Sequence, residues 1–338
     1  MRLDYAKAGV NVKKVKEIQN SIEKLIAKTH NKNVLPILGH YAGLVKVENK
    51  ILAMHTDGVG SKVLVAQFLK KYDTIGIDCV AMNVNDLICV GATPLAIVDY
   101  LALKREDESL VNEIMKGLVK GAQEANVAII GGETAILPDI IKEALDYSGF
   151  AMNGFDLAAT CIGVVDKEKI ITGKEMKVND VIIGLESSGL HSNGYTLARK
   201  VLSLNQWGEE LIRPTTIYVK PILEILKKVN VHGIAHITGG AFSKLSRLGK
   251  FAKKGFVLDN LPKPSRIFNE IQKEADVDDK EMYSVFNMGI GLCIVVAKKD
   301  AKTVIETCEK HGCKASIIGR IIGEERVEIR KDEKSIIL

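Results

Sequence analysis

The 338-residue chain has few cysteines, and their positions exclude a disulfide framework or a paired zinc motif. The six cysteines are scattered at 79, 89, 161, 293, 308 and 313, and no two form a C-x-x-C pair. This pattern favours a reducing compartment, so we expect a cytoplasmic protein. The first residues, MRLDYAKAGVNVKK, lack the apolar core of a secretory signal, and no apolar run reaches membrane-spanning length. We therefore expect no membrane partner.

An excess of charge of one sign is also absent. Lys and Arg number 47 against 42 Asp and Glu, which leaves a formal net charge of +5. No basic run is interleaved with aromatic residues, so we expect no nucleic-acid partner, while an anionic small molecule is compatible. The composition, 46% apolar and 26% charged, is typical of a globular protein, and the length suffices for two domains.

Helical and strand patterns alternate in both halves and predict an α/β (α+β) protein of two domains. Residues 74–91 predict a buried helix ended by Gly91, and residues 107–125 predict an amphipathic helix. The polar, turn-rich stretch 166–180 is the predicted boundary. This gives an N-terminal domain of residues 1–168 and a C-terminal domain of residues 169–338.

Glycines recur where predicted strands end. Backbone N–H groups approach a ligand closely at such turns, and successive N–H groups form anion-binding concavities. A single turn of this kind is more often only a tight turn, but the repeated series favours a phosphate site. The pairs are Gly58 and Gly60, Gly131 and Gly132, Gly189 and Gly194, and Gly239 and Gly240.

Carboxylates accompany these glycines. Asp57 precedes the first turn in HTDGVGSK, Glu133 follows the second turn, and Asp86 lies inside the predicted buried helix. A buried polar group without a partner costs about 2–7 kcal/mol, so Asp86 needs either a network of backbone and hydroxyl groups or a cation. Mg²⁺ typically takes one or two carboxylates plus substrate phosphates. The sharper interpretation is that Asp57, Asp86 and Glu133 hold Mg²⁺ beside a nucleoside triphosphate.

Two further side chains have two interpretations each. Lys62 either contacts a phosphate or lies in solvent. His191, within SSGLHSNGY, is either a structural hydrogen-bonding residue or a catalyst. A helix is predicted to begin after Ser192 or Asn193 as its N-cap, and its N-terminus would bind a phosphate or carboxylate.

Six motifs, in order, resemble the phosphoribosylformylglycinamidine cyclo-ligase family, also called aminoimidazole ribonucleotide (AIR) synthetase. They are TDGVGSK, DTIGIDCVAMNVNDL, GGETAILP, SSGLHSNGYTL, HITGGAF and MYSVFNMGIG. The resemblance implies an N-terminal α+β domain whose mixed sheet pairs across a homodimer, and a C-terminal α/β domain. It also implies a small-molecule substrate, formylglycinamidine ribonucleotide, and ATP with Mg²⁺.

The implied reaction closes the imidazole ring of that ribonucleotide to give 5-aminoimidazole ribonucleotide, ADP and phosphate, in purine biosynthesis. ATP would phosphorylate the formamide oxygen before the neighbouring nitrogen attacks, a step that needs positioning and charge neutralisation. A superfamily kinase acting on thiamine monophosphate or selenide is one alternative, although a selenium-type enzyme would carry a reactive residue such as Cys near its N-terminus. A nucleotide-binding scaffold without turnover is another alternative.

Matching the motifs assigns the site residues that the resemblance implies. The nucleotide-binding set is Thr56, Gly58, Gly60, Lys62, Asn85 and Gly132. The substrate-binding set is Ser188, His191, Asn193, Gly194, Gly239 and Gly240. The metal ligands are Asp57, Asp86 and Glu133, with Asp78 and Asp99 as weaker candidates, and the catalytic residues are His191 and Lys62.

Two stretches depart from the family pattern. A G-G-F-G loop approaches the active site in the family, and this chain has LGHYAGL (38–44) instead. Ala241 stands where the family usually has a third glycine after HITGG. We expect close backbone approach to be less secure there.

Overall fold

The computed structural model describes residues 3–36 and 39–338, so Leu38 of the LGHYAGL stretch lies outside the described residues. The strands are β1 Gly43–Val47, β2 Lys50–Gly58, β3 Thr93–Leu103, β4 Ala128–Ile136, β5 Ala144–Leu145, β6 Ala151–Met152, β7 Phe155–Val165, β8 Val181–Glu186, β9 Val231–His236, β10 Gly255–Leu258, β11 Ile290–Val296, β12 Ala315–Ile322, β13 Val327–Lys331 and β14 Lys334–Ile337. The helices are α1 Tyr5–Ala8, α2 Val12–Ile26, α3 Val63–Leu69, α4 Ile75–Cys89, α5 Glu108–Ala125, α6 Tyr195–Val201, α7 Leu204–Leu211, α8 Val219–Ile225, α9 Leu245–Ala252, α10 Arg266–Ala275, α11 Asp279–Val285 and α12 Ala301–Lys310.

The N-terminal unit is built on a sheet with the strand order β1-β2-β7-β3-β4. Its β3–β4 pair is parallel and its other neighbours are antiparallel. Along β2, Ile51 and Ala53 are buried while Met54 and Thr56 are exposed, because alternate side chains point to opposite faces. The inner face packs against α4, and we call the other face the outer sheet face.

The C-terminal unit is built on a larger sheet with the order β14-β13-β10-β12-β8-β11-β9. The two sheets with their helices confirm the predicted α/β (α+β) class. β7 ends at Val165 and β8 begins at Val181, so the predicted boundary at residues 168 and 169 falls between the sheets. The boundary residue itself stays a prediction.

The predicted buried helix is α4, and each of its 15 residues is buried. It packs against β2 and β7 of its own unit and against β9 and α8 of the other. Its neighbour α5 crosses so closely that a Cβ on Gly76 would lie 2.0 Å from the backbone nitrogen of Leu118. Only glycine fits at this crossing, because a backbone atom cannot move aside. α4 therefore forms a shared core between the units.

Two local predictions were wrong. The second glycine pair was predicted as a turn, but β4 continues through it, and a Cβ on Gly132 would lie 2.4 Å from Oδ1 of Asp99. The glycine there accommodates a neighbouring carboxylate within the sheet. The helix after SSGLHSNGY begins at Tyr195 with Gly194 as its N-cap, at φ 82°, so neither Ser192 nor Asn193 caps it.

Two findings concern the expected environment of the chain. In the part of the chain that the structure describes, no helix is long and apolar enough to span a bilayer. The six cysteines are free thiols.

Candidate active site

A cavity of about 400 Å³ lies between the two units, and we call it the carboxylate cavity. Asp57, near the end of β2, and Asp86, in α4, line it from the N-terminal unit. Gly239 and Gly240, in the turn after β9, line it from the C-terminal unit. The fold thus brings together two predicted metal ligands and two predicted substrate-binding glycines that lie more than a hundred residues apart in sequence.

Asp86 lies between two imidazoles. His236 Nδ1 is 2.7 Å from Oδ1 of Asp86, and His55 Nε2 is 3.4 Å from Oδ2. Burial alone would raise the pKa of Asp86, but the His236 hydrogen bond and the charges of Lys244 and His55 hold that pKa well below its usual range. The cavity therefore contains a buried anion even before a ligand enters.

The pKa of Asp57 is shifted in the opposite direction, above its usual value. Burial, followed by the negative charge of Asp86, raises the pKa of Asp57, although its Oδ1 accepts a hydrogen bond from Gly58 N–H at 2.8 Å. Two carboxylates that oppose each other's ionisation are stabilised by a divalent cation between them. Among the described residues no three His, Cys, Asp or Glu side chains are grouped as a metal site. The donor set fits Mg²⁺ with substrate phosphates completing its coordination.

Two other polar side chains of α4, Asp78 and Asn85, are bonded to backbone and hydroxyl groups of the protein. Asp78 accepts hydrogen bonds from Thr215 N–H at 2.7 Å and from the Thr215 hydroxyl at 2.6 Å. Asn85 donates to the Thr216 carbonyl at 2.8 Å and accepts from Tyr218 N–H at 3.0 Å. Both side chains thus connect α4 to the 215–218 segment of the C-terminal unit. For Asp78 as a metal ligand, and for Asn85 as a phosphate ligand, the roles stay predictions.

Lys62 is fully buried rather than solvated. Its Nζ lies 2.8 Å from Oδ2 of Asp78 and also donates to the Arg213 carbonyl. Burial lowers the pKa of Lys62, and the Asp78 charge opposes that change. The predicted phosphate contact is untested, but in this structure the ammonium group already has a carboxylate and a carbonyl as partners.

His191 is 1% exposed, and its backbone has a left-handed conformation with φ 62°. Its Nε2 accepts a hydrogen bond from Ser188 N–H at 3.2 Å, and its Nδ1 has no partner among the described residues. Burial, followed by the charges of His236 and Lys62, lowers the pKa of His191 well below its usual value. The imidazole is therefore neutral, with Nε2 as the acceptor.

Two substrate-motif residues contact other motifs. A Cβ on Gly239 would lie 2.9 Å from Oδ1 of Asn193, so the SSGLHSNGY and HITGG stretches meet at this point. A Cβ on Gly194 would lie 2.2 Å from the Phe286 ring, which packs the FNMGIG stretch against the same loop. The three motifs are therefore neighbours in space.

Several predicted residues lie away from the carboxylate cavity or serve the backbone. Ser188 lines a separate cavity of about 410 Å³ with Arg213 and Arg266. The Thr56 hydroxyl donates to the Ala159 carbonyl at 3.0 Å, although Thr56 also lines the carboxylate cavity. Gly60, at φ 69°, begins a 3₁₀ turn.

Glu133 lies on β4, three strands from β2 in the order of the sheet, which is about 14 Å at normal strand spacing. It pairs in register with Tyr100, whereas Asp99 pairs with Gly132, so Glu133 and Asp99 point to opposite faces. A single chain does not bring Glu133 to Asp57 and Asp86. The metal role of Glu133, like that of Asp99, stays a prediction.

Several residues of the cavity were not predicted from the sequence. His55 and His236 flank Asp86, and Lys244 and Arg247 line the same space. Two of these residues could have been predicted from their positions in the quoted motifs. His236 precedes the glycine turn of HITGGAF, and His55 begins HTDGVGSK. Nothing in the local sequence pointed to Lys244 or Arg247, because their approach depends on how α9 packs.

The fold and this two-sided cavity define an AIR synthase related protein. Residues 39–165 match the family model described as the AIR synthase related protein N-terminal domain. Residues 177–332 match the model for the C-terminal domain of the same family. A solved structure described as AaThiL complexed with AMPPCP and TMP has a TM-score of 0.66 at 15% identity, covering 97% of this chain and 98% of that one. This likeness concerns the fold alone.

Curated relatives narrow the family. The phosphoribosylformylglycinamidine cyclo-ligase of Saccharolobus solfataricus is 47% identical, covering 99% of this chain and 98% of the relative. The enzyme of the same name from Methanocaldococcus jannaschii is 45% identical, covering 99% of both chains. The chain belongs to the phosphoribosylformylglycinamidine cyclo-ligase family.

A substitution in the buried Lys62–Asp78 pair can distinguish a structural role of Lys62 from a role in phosphate binding. We expect Lys62→Met to lower the free energy of unfolding by about 3 kcal/mol, because Asp78 keeps its Thr215 donors but loses its countercharge. Urea unfolding measures this, with Lys302→Met, 86% exposed, as the control. Unchanged stability together with a raised KM for ATP would instead support a phosphate contact.

Proposed function

We propose that this protein closes the imidazole ring of formylglycinamidine ribonucleotide with ATP, releasing 5-aminoimidazole ribonucleotide, ADP and phosphate. The observation that carries the proposal is the meeting of Asp57 and Asp86 with the Gly239–Gly240 turn in one cavity. Carboxylates for a metal and glycine N–H groups for an anion are the two requirements of a phosphoryl-transfer site. Relatives of 45–47% identity that bear the cyclo-ligase name support the same activity over the kinase alternative.

The triphosphate lies in the carboxylate cavity in this proposal. Asp57 and Asp86 would hold Mg²⁺, which supplies charge neutralisation to the phosphates. His236 and His55 keep Asp86 oriented, and the Asp86 carboxylate stays ionised because of them. The Gly239–Gly240 turn lines the cavity, and glycine backbone N–H groups can approach an anion closely. A side chain at Gly239 would collide with Asn193, so the turn also depends on glycine for its packing.

The base of ATP fits an adjoining cavity of about 470 Å³. Its walls include Ile26, Leu35, Leu44 and Met54, and it shares Thr56 with the carboxylate cavity. A pocket with these apolar walls, and with His30, His40 and Arg247 as polar groups, suits a flat base joined to a charged phosphate chain. We therefore assign the adenine to this pocket.

His191 remains our choice for proton transfer during ring closure. Its neutral imidazole and the unpartnered Nδ1 suit a group that exchanges a proton with substrate. Because the ring is 1% exposed, substrate binding must open the loop that covers it. Asn193 and Gly194, beside it, would then contact the ribonucleotide.

The proposal is tested by incubating the protein with formylglycinamidine ribonucleotide and Mg-ATP and measuring ADP and the imidazole product. Equal amounts of both products are expected. Phosphorylation of thiamine monophosphate without ring product would instead favour the kinase, and tight ATP binding without turnover of any substrate would favour a scaffold.

Asp86→Asn is expected to lower kcat at least about a hundredfold with the fold retained, because one metal-facing charge is lost while the shape is kept. The measurement is steady-state turnover across Mg²⁺ concentrations, accompanied by Mn²⁺ binding in the presence of AMPPCP. Asp139→Asn, at an exposed position, is the control. Normal turnover by Asp86→Asn would remove the metal role of this residue.

We also propose a homodimer formed through the outer sheet face. That face has Val98 at 39% and Tyr100 at 45% exposure, with Leu95 and Ile130 also exposed nearby on the same sheet. Apolar side chains clustered on an uncovered sheet face are typical of a protein interface. A second copy of the chain presents the same apolar face and so suits a two-fold pairing. The cytoplasmic location is a further proposal that the free cysteines support.

Val98→Asp is expected to convert a dimer into monomers, because two copies of the new carboxylate would be buried at the two-fold interface. Sedimentation equilibrium at micromolar concentration measures the mass. Val178→Asp is the matched control, since Val178 is 48% exposed outside the sheet. A monomeric wild-type protein, or a dimer that survives Val98→Asp, would rule out this interface.

A further inference from the structure

The ring of one tyrosine in the N-terminal unit contacts two cationic side chains of the C-terminal unit. Tyr41 is 1% exposed, and its ring centroid lies 5.7 Å from Lys244 Nζ and 5.2 Å from Arg247 Cζ. Lys244 ends a 3₁₀ turn and Arg247 lies one turn further on in α9. The Tyr41 hydroxyl has no hydrogen-bond partner among the described residues, so the ring itself is the part that contacts the other unit.

Lys244 is one of the residues that line the carboxylate cavity. Asp57 and Asp86 line the same cavity, and Lys244 Nζ donates to the Thr238 hydroxyl beside the glycine turn. Over the described residues, no carboxylate oxygen lies within the 4.0 Å ion-pair distance of this nitrogen. An ammonium group has three donors, so Lys244 keeps donors available for a ligand.

The manner in which Lys244 is held differs from that of Lys62. Lys62 also lies over an aromatic ring, 5.7 Å from the Tyr195 centroid, but it is paired directly with Asp78, so its charge is neutralised inside the protein. An aromatic ring attracts a cation through its quadrupole without neutralising the charge or occupying the N–H donors. Tyr41 therefore fixes the position of Lys244 and leaves its full charge for an anion. Burial lowers the pKa of Lys244, and the negative charge of Asp86 opposes that change.

We propose that Lys244 contacts a phosphate group bound in the carboxylate cavity and that Tyr41 is its positioning residue. This rests on the proposed function, in which the triphosphate of ATP lies in that cavity. The motif analysis gave this role to the lysine of TDGVGSK, but the geometry points to Lys244. The phosphate is either that of ATP or that of the ribonucleotide, and the two sources are separated by experiment.

The first test compares Lys244→Met with Lys244→Arg. We expect Lys244→Met to weaken Mg-AMPPCP binding about tenfold or more in calorimetry, and to lower kcat about a hundredfold, because a charge-assisted hydrogen bond to phosphate is lost. Lys244→Arg should recover part of both, since its charge is retained. Lys302→Met, exposed in α12, is the control. If AMPPCP binding is unchanged but KM for the ribonucleotide rises, the contact is with the ribose phosphate.

Unchanged AMPPCP affinity, ribonucleotide KM and kcat in folded Lys244→Met would overturn the proposal.

The second test compares Tyr41→Phe with Tyr41→Leu. Tyr41→Phe keeps the ring and should bind Mg-tripolyphosphate, which has no base to contact the adjoining cavity lined by Tyr41, as the unaltered protein does, whereas Tyr41→Leu should reproduce part of the Lys244→Met loss. Equal effects of the two Tyr41 variants would exclude a positioning role for the ring. The binding measurements do not require turnover. They therefore test the Lys244 contact even if the unaltered protein makes no imidazole product, and failure of the cyclo-ligase function is distinguished from failure of that contact.

Discussion

The buried polar groups of α4 impose the constraint on which this structure depends. Asp78, Asn85 and Asp86 lie in an entirely buried helix whose remaining residues are apolar except Asn83, which donates to the Asp57 and Cys79 carbonyls. A buried donor or acceptor without a partner costs about 1–3 kcal/mol, and a charged one more. All three groups find partners in the C-terminal unit, at Thr215, at Thr216 and Tyr218, and at His236. The requirement for partners thus fixes how the two units meet, and the carboxylate cavity lies at that junction.

Charge in the cavity is arranged so that a ligand completes it. On one side Asp57 and Asp86 oppose each other's ionisation, as the raised pKa of Asp57 indicates. Across the cavity Lys244 and Arg247 repel each other but are held together on the Tyr41 ring. A metal-bound phosphate chain supplies positive charge to the first side and negative charge to the second. Charged groups that shift each other's pKa within one cavity are typical of a functional site.

The sequence predicted the parts of the fold that local patterns determine. Apolar length and an ending glycine gave α4, and strict spacing gave α5. Asp57, Asp86 and the Gly239–Gly240 turn were found because a carboxylate among apolar residues, or a glycine pair after a strand, is unusual by itself. The direction of a lysine is not a local property. Lys62 and Lys244 both follow glycine turns, and only the packing of α4 and α9 decides that one faces Asp78 and the other the cavity.

The position of Glu133 links the metal site to the oligomeric state. Along β4 and β3, Glu133 is in register with Tyr100, and Tyr100 with Ala158 and then Gly58, whereas Asp57 is in register with Ala159 and Asp99. Glu133 therefore points to the outer sheet face and Asp57 to the inner face, about 14 Å apart at normal strand spacing. Ligands of one Mg²⁺ ion lie about 2.1 Å from it, so this placement does not favour a single chain that supplies both. A metal role for Glu133 therefore requires a second chain at the outer sheet face, where Thr56 connects that face to the carboxylate cavity.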